Sequence, residues 1–259
     1  MRGNTLTTKG DKIREISITH VVKAAARSTS TEQAYNLRES ESRIRLEDTR
    51  FESFQELIEN IGSRFSIEKI KDYSFEDKYF AEGGIGNTNG DITRVRVWIN
   101  RTSADGTSII PDKPVQIIKS SARIIIHDGI PFNLGGKKDT ENFATLEVAE
   151  AKLLSGGFNL WFTIEKVGGQ HFKVGKVGDG DVNLRIACEK AIFTSPNSKP
   201  ISINYIEIEA EPIEGKEVEP QKISKMILEL TEFFGITKDK IIGHPMVMEA
   251  VKQLKLVRV

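Results

Sequence analysis

The 259-residue sequence contains one cysteine, Cys188, so it cannot form a disulfide within the chain. Lysine and arginine number 37, as do aspartate and glutamate, and this zero net charge creates no global field for nucleic acid or an anionic membrane. No apolar run approaches the roughly 18 residues of a membrane-spanning helix. The histidines (His20, His127, His171 and His244) lack metal-ligand spacing, so a zinc site is not expected.

These absences limit the location and the partners that we expect. A lone cysteine is typical of proteins in reducing compartments, and residues 1–12 lack the contiguous apolar core of a secretory signal. We therefore predict a cytoplasmic protein with no membrane association and no specific nucleic-acid partner. Any basic binding site must be local.

The most informative stretch is residues 205–211, YIEIEAE, in which acidic and apolar residues alternate. Side chains two residues apart share a face of a β-strand. Glu207, Glu209 and Glu211 therefore share one face, and Ile206, Ile208 and Ala210 share the other. Taken alone, this pattern is typical of a half-buried strand whose acidic face meets solvent.

A second strand of this kind lies far upstream, at residues 39–47, where the odd positions carry Glu39, Glu41, Arg43, Arg45 and Glu47. Basic residues occur on strands between the two acidic stretches. Arg94-Val95-Arg96 places two guanidinium groups on one face, and Lys119 lies in the apolar run 115–120. A closed sheet with acids and bases inside would hold divalent cations on the acids and a phosphate chain on the bases.

The remaining pattern predicts mostly strands with a few helices. Thr49 to Glu52 resembles a capping box before an amphipathic helix at 51–61 that Gly62 ends, and Pro220 and Pro245 open two later helices. Segment 143–154 fits a helix or a short covering element. We treat the glycine-rich residues 82–91 as a flexible hairpin, because no helix or Gly-Lys-Ser/Thr follows. The predicted strands span 66–80, 92–99, 115–127, 158–166, 171–177 and 181–193, with a turn at Gly168-Gly169.

Strands and helices do not alternate regularly along the chain. This order argues against a Rossmann sheet and predicts an α+β fold, an antiparallel β-barrel with a few covering helices. We divide the chain into an N-terminal accessory segment, residues 1–37, and a barrel domain, residues 38–259. Residues 16–22 of the accessory segment fit a strand slightly better than a helix.

In their order along the chain, these motifs resemble the CYTH superfamily, the triphosphate tunnel metalloenzymes. Its Glu-x-Glu-x-Lys strand is similar to Glu39-Ser40-Glu41-Ser42-Arg43, with arginine in place of lysine. Its Asp-x-Tyr-Phe strand resembles residues 77–80, its Leu-Arg-Ile-Arg strand resembles residues 93–96, and its strand ending in lysine resembles residues 117–119. Its late Glu-Ile-Glu strand resembles residues 207–209, and the resemblance covers residues 39–255.

The resemblance implies a tunnel that binds a triphosphate-containing small molecule with Mg²⁺ or Mn²⁺. It implies metal ligation by Glu39, Glu41, Glu207 and Glu209, with catalytic roles for Glu39, Glu41 and Arg43. Phosphate binding would then fall to Arg43, Arg94, Arg96, Lys119 and Lys166. Glu189 is the acid nearest to the family's later aspartate, and Lys166 with His171 or Lys173 loosely matches its Lys-x-Arg strand.

Three functions follow from this interpretation. The first is a divalent-metal-dependent hydrolase of triphosphates, with a class IV-type adenylyl cyclase as the second enzymatic reading. Another is a nucleotide or polyphosphate-binding protein without turnover. The third is a structural barrel without a small ligand, for which the charged faces would meet solvent. Nothing in the sequence identifies a pocket that reads a base.

Overall fold

The structure is a computed structural model, and it describes residues 40–82, 91–175, 182–196, 198–213 and 219–256. Three predicted features lie outside these ranges: the accessory segment 1–37, Glu39, and most of the glycine-rich hairpin, at residues 83–90. The division of the chain into two parts therefore stays a prediction.

Antiparallel strands form a closed barrel in the order β1-β5-β4-β3-β2-β6-β7-β8. The pairing of β1 with β8 joins the beginning of the described chain to a strand near its end and closes the sheet. The predicted α+β antiparallel barrel is confirmed. Its strands are β1 Ser40–Arg45, β2 Ser66–Glu82, β3 Asp91–Ser103, β4 Val115–His127, β5 Ile130–Phe143, β6 Phe158–Gly175, β7 Val182–Thr194 and β8 Ile201–Pro212.

Helices cover parts of this barrel. Pro220 occupies the first turn of α3, as predicted, and Gly235 ends the helix in a left-handed conformation, while Pro245 precedes α4. None of the helices in the described ranges combines the length with the apolar character that a membrane crossing requires. The helices are α1 Phe54–Arg64, α2 Leu146–Ser155, α3 Pro220–Phe234 and α4 Met246–Gln253.

The two faces of β8 differ as the sequence predicts. Ile206, Ile208 and Ala210 are fully buried in the largest apolar cluster, which also contains buried residues of α1 and α3. This cluster lies between the outer surface of the barrel and the two helices. The opposite face of β8, with Glu207 and Glu209, therefore points into the barrel.

The start of α1 differs from the prediction. Thr49 Oγ1 donates to the Leu46 carbonyl at 2.8 Å and closes a short 3₁₀ turn, so it does not cap the helix. Ser53 is the cap instead, since its Oγ accepts from the Glu56 amide at 3.2 Å. The predicted capping box was therefore placed one turn too early, and the helix runs past Gly62 to Arg64.

Two other elements differ from the prediction. Residues 130–143 form β5, which the sequence analysis did not recognise as a strand, and the helix at 146–155 follows it. The predicted turn at Gly168-Gly169 is wrong, because residues 158–175 form one continuous strand with a bulge there. Gly168 has φ +60°, a backbone conformation that occurs at bulges as well as in turns.

Helix α4 covers one end of the barrel. Met246, Ala250 and Val251 pack against an apolar cluster that includes Tyr79 and Phe162, which pair across β2 and β6. Glu249, on the same helix, is almost fully buried. Its carboxylate accepts from Arg45 Nη2 at 2.7 Å, Tyr205 Oη at 3.1 Å and Gln253 Nε2 at 2.8 Å, and its other oxygen lies 2.9 Å from His244 Nε2.

Removing this carboxylate should loosen α4. We expect Glu249→Ala to lower the free energy of unfolding by about 2–4 kcal/mol, because it leaves Arg45 and Tyr205 without their buried acceptor. Glu232→Ala is the matched control, because Glu232 is exposed on α3 and the same Glu→Ala change alters helix propensity equally in both variants. Chemical denaturation measures both changes, and equal stabilities for the two variants would contradict the role assigned to Glu249.

Candidate functional site

The pairing of β1 with β8 brings acids and a base together inside the barrel. Arg43 lies opposite Glu207, and Glu41 lies opposite Glu209. Directly paired residues share a face of the sheet, so these four side chains form one interior patch. Glu207 and Glu209 are both buried, as is Arg43.

Arg43 is the centre of this patch. Its Nε donates to Glu207 Oε2 at 2.5 Å, and its Nη2 donates to Glu41 Oε2 at 2.6 Å. Its Nη1 also donates to the His244 carbonyl at 3.2 Å, which ties the segment before α4 to the patch. Burial disfavours the guanidinium charge, but Glu207 and Glu41 outweigh it and raise the pKa of Arg43.

A second pair joins Glu209 to His171, whose Nε2 lies 2.9 Å from Glu209 Oε2. Burial, with Lys71 and Arg185 nearby, lowers the pKa of His171 to about 4, so the imidazole is neutral at neutral pH. Burial and the neighbouring Glu207 and Glu41 carboxylates raise the pKa of Glu209 well above its ordinary value. Burial and the neighbouring carboxylates therefore favour the protonated form of Glu209.

Lys166 links β6 to two further carboxylates. Its Nζ lies 2.5 Å from Glu189 Oε1 and 3.7 Å from Glu207 Oε2. Glu189 is fully buried and also accepts from Tyr73 Oη at 2.6 Å. Burial raises the pKa of Glu189; Lys166 opposes this shift and Glu207 adds to it. Burial opposes the charge of Lys166, yet Glu189 and Glu207 raise its pKa, so the cation is retained.

Asp77 holds the two arginines of β3. Arg96 donates from Nε to Oδ1 at 2.7 Å and from Nη2 to Oδ2 at 2.8 Å, a bidentate pair. Arg94 Nε lies 3.3 Å from Asp77 Oδ2. Burial of Asp77 disfavours its charge, but Arg96 and Arg94 prevail and lower its pKa. Both guanidinium groups are thus neutralised in part by one buried carboxylate.

We call these side chains the charged layer. Carboxylates and cations occur in it in nearly equal numbers, so most of its charge is compensated within the protein. The layer consists of Glu41, Arg43, Asp77, Arg94, Arg96, Lys166, His171, Glu189, Glu207 and Glu209.

The structure brings most of the sequence-predicted site residues into this layer. It contains Glu41, Arg43, Arg94, Arg96, Lys166, Glu207 and Glu209, although their functional roles stay predictions. The expectation that Lys119 faces the interior is wrong. Lys119 pairs with Thr93 and Asp139, whereas Arg94 pairs with Ile118, so Lys119 lies on the opposite face of the sheet and is exposed.

Sequence reasoning left Asp77, Tyr73 and Glu189 out of the predicted set of site residues. The signal for the first two was present in β2, where Tyr73, Phe75 and Asp77 recur at two-residue spacing and so share a face. Glu189 stood out in the sequence only as a nearby acid. Its contacts with Tyr73 and Lys166 join residues from three strands, which no local pattern reveals.

The donor set suits a hard divalent cation by its chemistry, because Mg²⁺ and Mn²⁺ prefer carboxylate oxygens. Burial and the nearby Glu207 and Glu41 carboxylates raise the pKa of Glu209, and a cation would relieve the repulsion among these acids. Within the described ranges, however, no three His, Cys, Asp or Glu side chains are arranged as a metal-binding group. Arg43 lies between Glu41 and Glu207, so metal binding would require these carboxylates to exchange partners.

Comparison with known proteins finds similarity to solved structures. No family model and no curated protein matches the chain. Solved structures with a similar chain path include a conserved hypothetical protein from Pyrococcus furiosus, with 14% identity, 80% of this chain and 96% of that chain covered, and a TM-score of 0.43. A candidate adenylate cyclase from Vibrio parahaemolyticus has 12% identity, 84% and 99% coverage, and a TM-score of 0.47.

The Mediator head module of Schizosaccharomyces pombe also contains a similar chain, with 11% identity, 75% and 92% coverage, and a TM-score of 0.40. At these scores, the similarities are too weak to assign a family or a function.

The crowding of carboxylates predicts a pH-dependent effect of Glu209→Gln. A raised pKa means that the folded protein holds this proton more tightly than the unfolded chain does. The wild type should therefore lose stability as pH rises above 4.5, the ordinary value, towards the raised pKa. Glutamine mimics the protonated acid and lacks this loss, so the variant should melt at a higher temperature than the wild type at pH 8.

Thermal melts in EDTA at pH 5 and pH 8 measure the difference between the two proteins. The difference in melting temperature should be larger at pH 8. His171 is present in both proteins, so the comparison isolates the change at residue 209. A variant that melts below the wild type at both pH values would show that Glu209 is not held protonated by its neighbours.

Proposed function

We propose that the protein binds a triphosphate chain with a divalent cation inside the barrel and hydrolyses it. One observation carries this proposal: carboxylates crowd around Glu209 in the same enclosed layer that holds the guanidinium groups of Arg43, Arg94 and Arg96. A structural barrel gains little from such a layer, because apolar side chains would fill the interior without desolvating charges.

The cations of the charged layer are suited to a phosphate chain. Arg94 and Arg96 already hold a carboxylate through geometry that also fits phosphate oxygens. The Nε of Arg94 is buried without a hydrogen-bond partner among the described residues, so it can still donate to a phosphate oxygen. Lys166 and Arg43 border the same space from β6 and β1 and supply charge for the next phosphoryl group.

Hydrolysis would use the acids and bases in separate roles. Water adds to the terminal phosphorus as the bridging P–O bond breaks, and an interior carboxylate such as Glu41 takes the proton that the water releases. Arg43 and Lys166 stabilise the charge that develops on the phosphoryl oxygens, because they are fixed in place before the reaction. When bound, Mg²⁺ or Mn²⁺ supplies Lewis acidity toward a phosphoryl oxygen.

Turnover tests this proposal directly. We expect phosphate release from at least one of tripolyphosphate, ATP, GTP and thiamine triphosphate with Mg²⁺ or Mn²⁺, and none in EDTA. Glu41→Gln should reduce turnover at least about 100-fold while the fold stays intact, since Arg43 keeps its contact with Glu207. Glu141→Gln is the matched control, because Glu141 is exposed and pairs with Lys152 outside the layer.

The same reactions should be examined for cyclic nucleotide, because that product would place a cyclase ahead of a hydrolase. If Glu41→Gln and the wild type turned over substrate equally fast, Glu41 would have no catalytic role. Absence of any product with bound ligand would favour a second candidate function.

This second candidate is a binding protein without turnover. It is favoured by the ion pairs of the layer, since Glu41 and Glu207 are held by Arg43, and by the lack of a ready metal-binding group among the described residues. A protein that only holds a phosphate chain needs the cations of the layer but not a fixed set of metal ligands.

Both functions predict that the interior arginines contact phosphate. Arg94→Ala should weaken the binding of tripolyphosphate and of ATP to a similar degree, with Kd rising by about one to two orders of magnitude. The fold should survive, because Arg96 keeps Asp77 in a bidentate pair. Lys119→Ala is the matched control, since it removes a cation from the outer face and should leave both affinities unchanged.

Calorimetric titration of both ligands against both variants measures these affinities. If Lys119→Ala weakened binding as much as Arg94→Ala, the result would contradict an interior site and favour binding on the outer surface.

A further inference from the structure

Beyond the charged layer, the interior continues as a set of aromatic rings on β2 and β3. The rings of Tyr73 and Phe75 are stacked with centroids 5.8 Å apart, and Phe75 meets Trp98 edge to face at 5.2 Å. We call these three side chains the aromatic wall. Along β2, Tyr79 packs in the cluster beneath α4, and Asp77 lies between Tyr79 and the wall. The wall is therefore on the side of the charged layer away from α4.

Guanidinium groups lie against this wall. Arg96 lies 3.7 Å from the centroid of the Phe75 ring and 5.2 Å from that of Trp98, and Arg101 lies 4.8 Å from that of Trp98. The Trp98 ring therefore has two cations near it. The Nε of Arg101 is also buried without a hydrogen-bond partner among the described residues, and an incoming acceptor would relieve this unpaired donor.

Trp98 is the most exposed ring of the wall. Tyr73 and Phe75 are buried, whereas Trp98 is half-buried. Its indole N–H donates to Gln116 Oε1 at 3.2 Å, and Gln116 Nε2 donates to Asn142 Oδ1 at 3.0 Å. The accessible part of the wall is thus an indole ring with two side-chain amides beside it.

These parts match the chemistry of a nucleobase. A base stacks on an indole ring, and guanidinium groups add cation–π contacts with its face. Glutamine and asparagine amides pair with the donors and acceptors on the edge of a base. A cationic heterocycle such as the thiazolium of thiamine is disfavoured, because it would lie near the positive charges of Arg96 and Arg101.

We infer that the aromatic wall and the amides of Gln116 and Asn142 bind the nucleobase of a nucleoside triphosphate, an inference that rests on the proposed function. Arg96 connects the two regions, since it holds Asp77 in the charged layer and stacks on Phe75 in the wall. A base on Trp98 directs its phosphates toward Arg94 and Lys166. The specificity-determining residue is Trp98.

Fluorescence of a single-tryptophan protein tests the contact. The chain has two tryptophans, and Trp161 lies on β6, where it packs against Phe162. The register of β6 shifts beside Trp161, which packs against the apolar cluster beneath α4, at the end of the barrel away from the wall. In Trp161→Phe, titration with ATP and Mg²⁺ should quench the emission of Trp98 to saturation, whereas tripolyphosphate should leave it nearly unchanged.

Affinities separate the contribution of the base from that of the phosphates. The wild type should bind ATP about 5- to 150-fold more tightly than tripolyphosphate, the range expected for stacking of one base. Thiamine triphosphate should show no such advantage over tripolyphosphate. Trp98→Leu should abolish the advantage of ATP and leave the Kd of tripolyphosphate within about twofold, and Trp98→Phe should retain part of the advantage.

The outcomes distinguish this inference from the function on which it rests. If the wild type binds ATP and tripolyphosphate equally, or if Trp98→Leu weakens both equally in a folded protein, the nucleobase site is overturned while the proposed function stands. If no triphosphate binds to the wild type, the proposed function fails and the inference fails with it. Since Trp161→Phe keeps Trp98, its titration decides the question even if Trp98→Leu does not fold.

Discussion

Buried charge determines how this barrel can close. Arg43, Asp77, Glu189 and Glu207 of the charged layer are buried, and the loss of their hydration is offset only where an opposite charge lies within hydrogen-bond distance. Arg43 reaches Glu207 only when β1 pairs with β8, and this pairing is also the step that closes the sheet. Closure of the barrel and neutralisation of its interior therefore stabilise each other.

The same constraint fixes the register of β8. A slip of one residue would turn every side chain of the strand to the other face. Ile206 and Ile208 would then enter the charged layer, where Arg43 would lose its partner, and Glu207 would enter the apolar cluster beneath α1 and α3. Both faces oppose the slip, so a strand with carboxylates inside is specified at least as strongly as one with a wholly apolar interior.

The sequence predicts strands whose two faces differ in chemistry, and it is less informative where the faces are alike. β8 alternates acids with isoleucine, and its orientation follows directly. β4 carries Val115, Ile117 and Ile118 on both faces, so alternation cannot decide where Lys119 points, and only the pairing with β3 settles it. The contact of Asp77 with Arg96 likewise depends on a cross-strand register. The bulge at Gly168-Gly169 was missed because paired glycines also mark turns.

The two ends of the interior differ, and this difference would give the proposed ligand a direction. At one end α4 packs against apolar side chains, and the Arg43 contact with the His244 carbonyl ties that end to the charged layer. At the other end lie Trp98 and its cationic neighbours. In the proposed complex, a phosphate chain held by the central cations would extend its organic group toward Trp98. Because the guanidinium of Arg96 contacts both regions, the two parts of such a ligand would act on one side chain, and their contributions to affinity would not be additive.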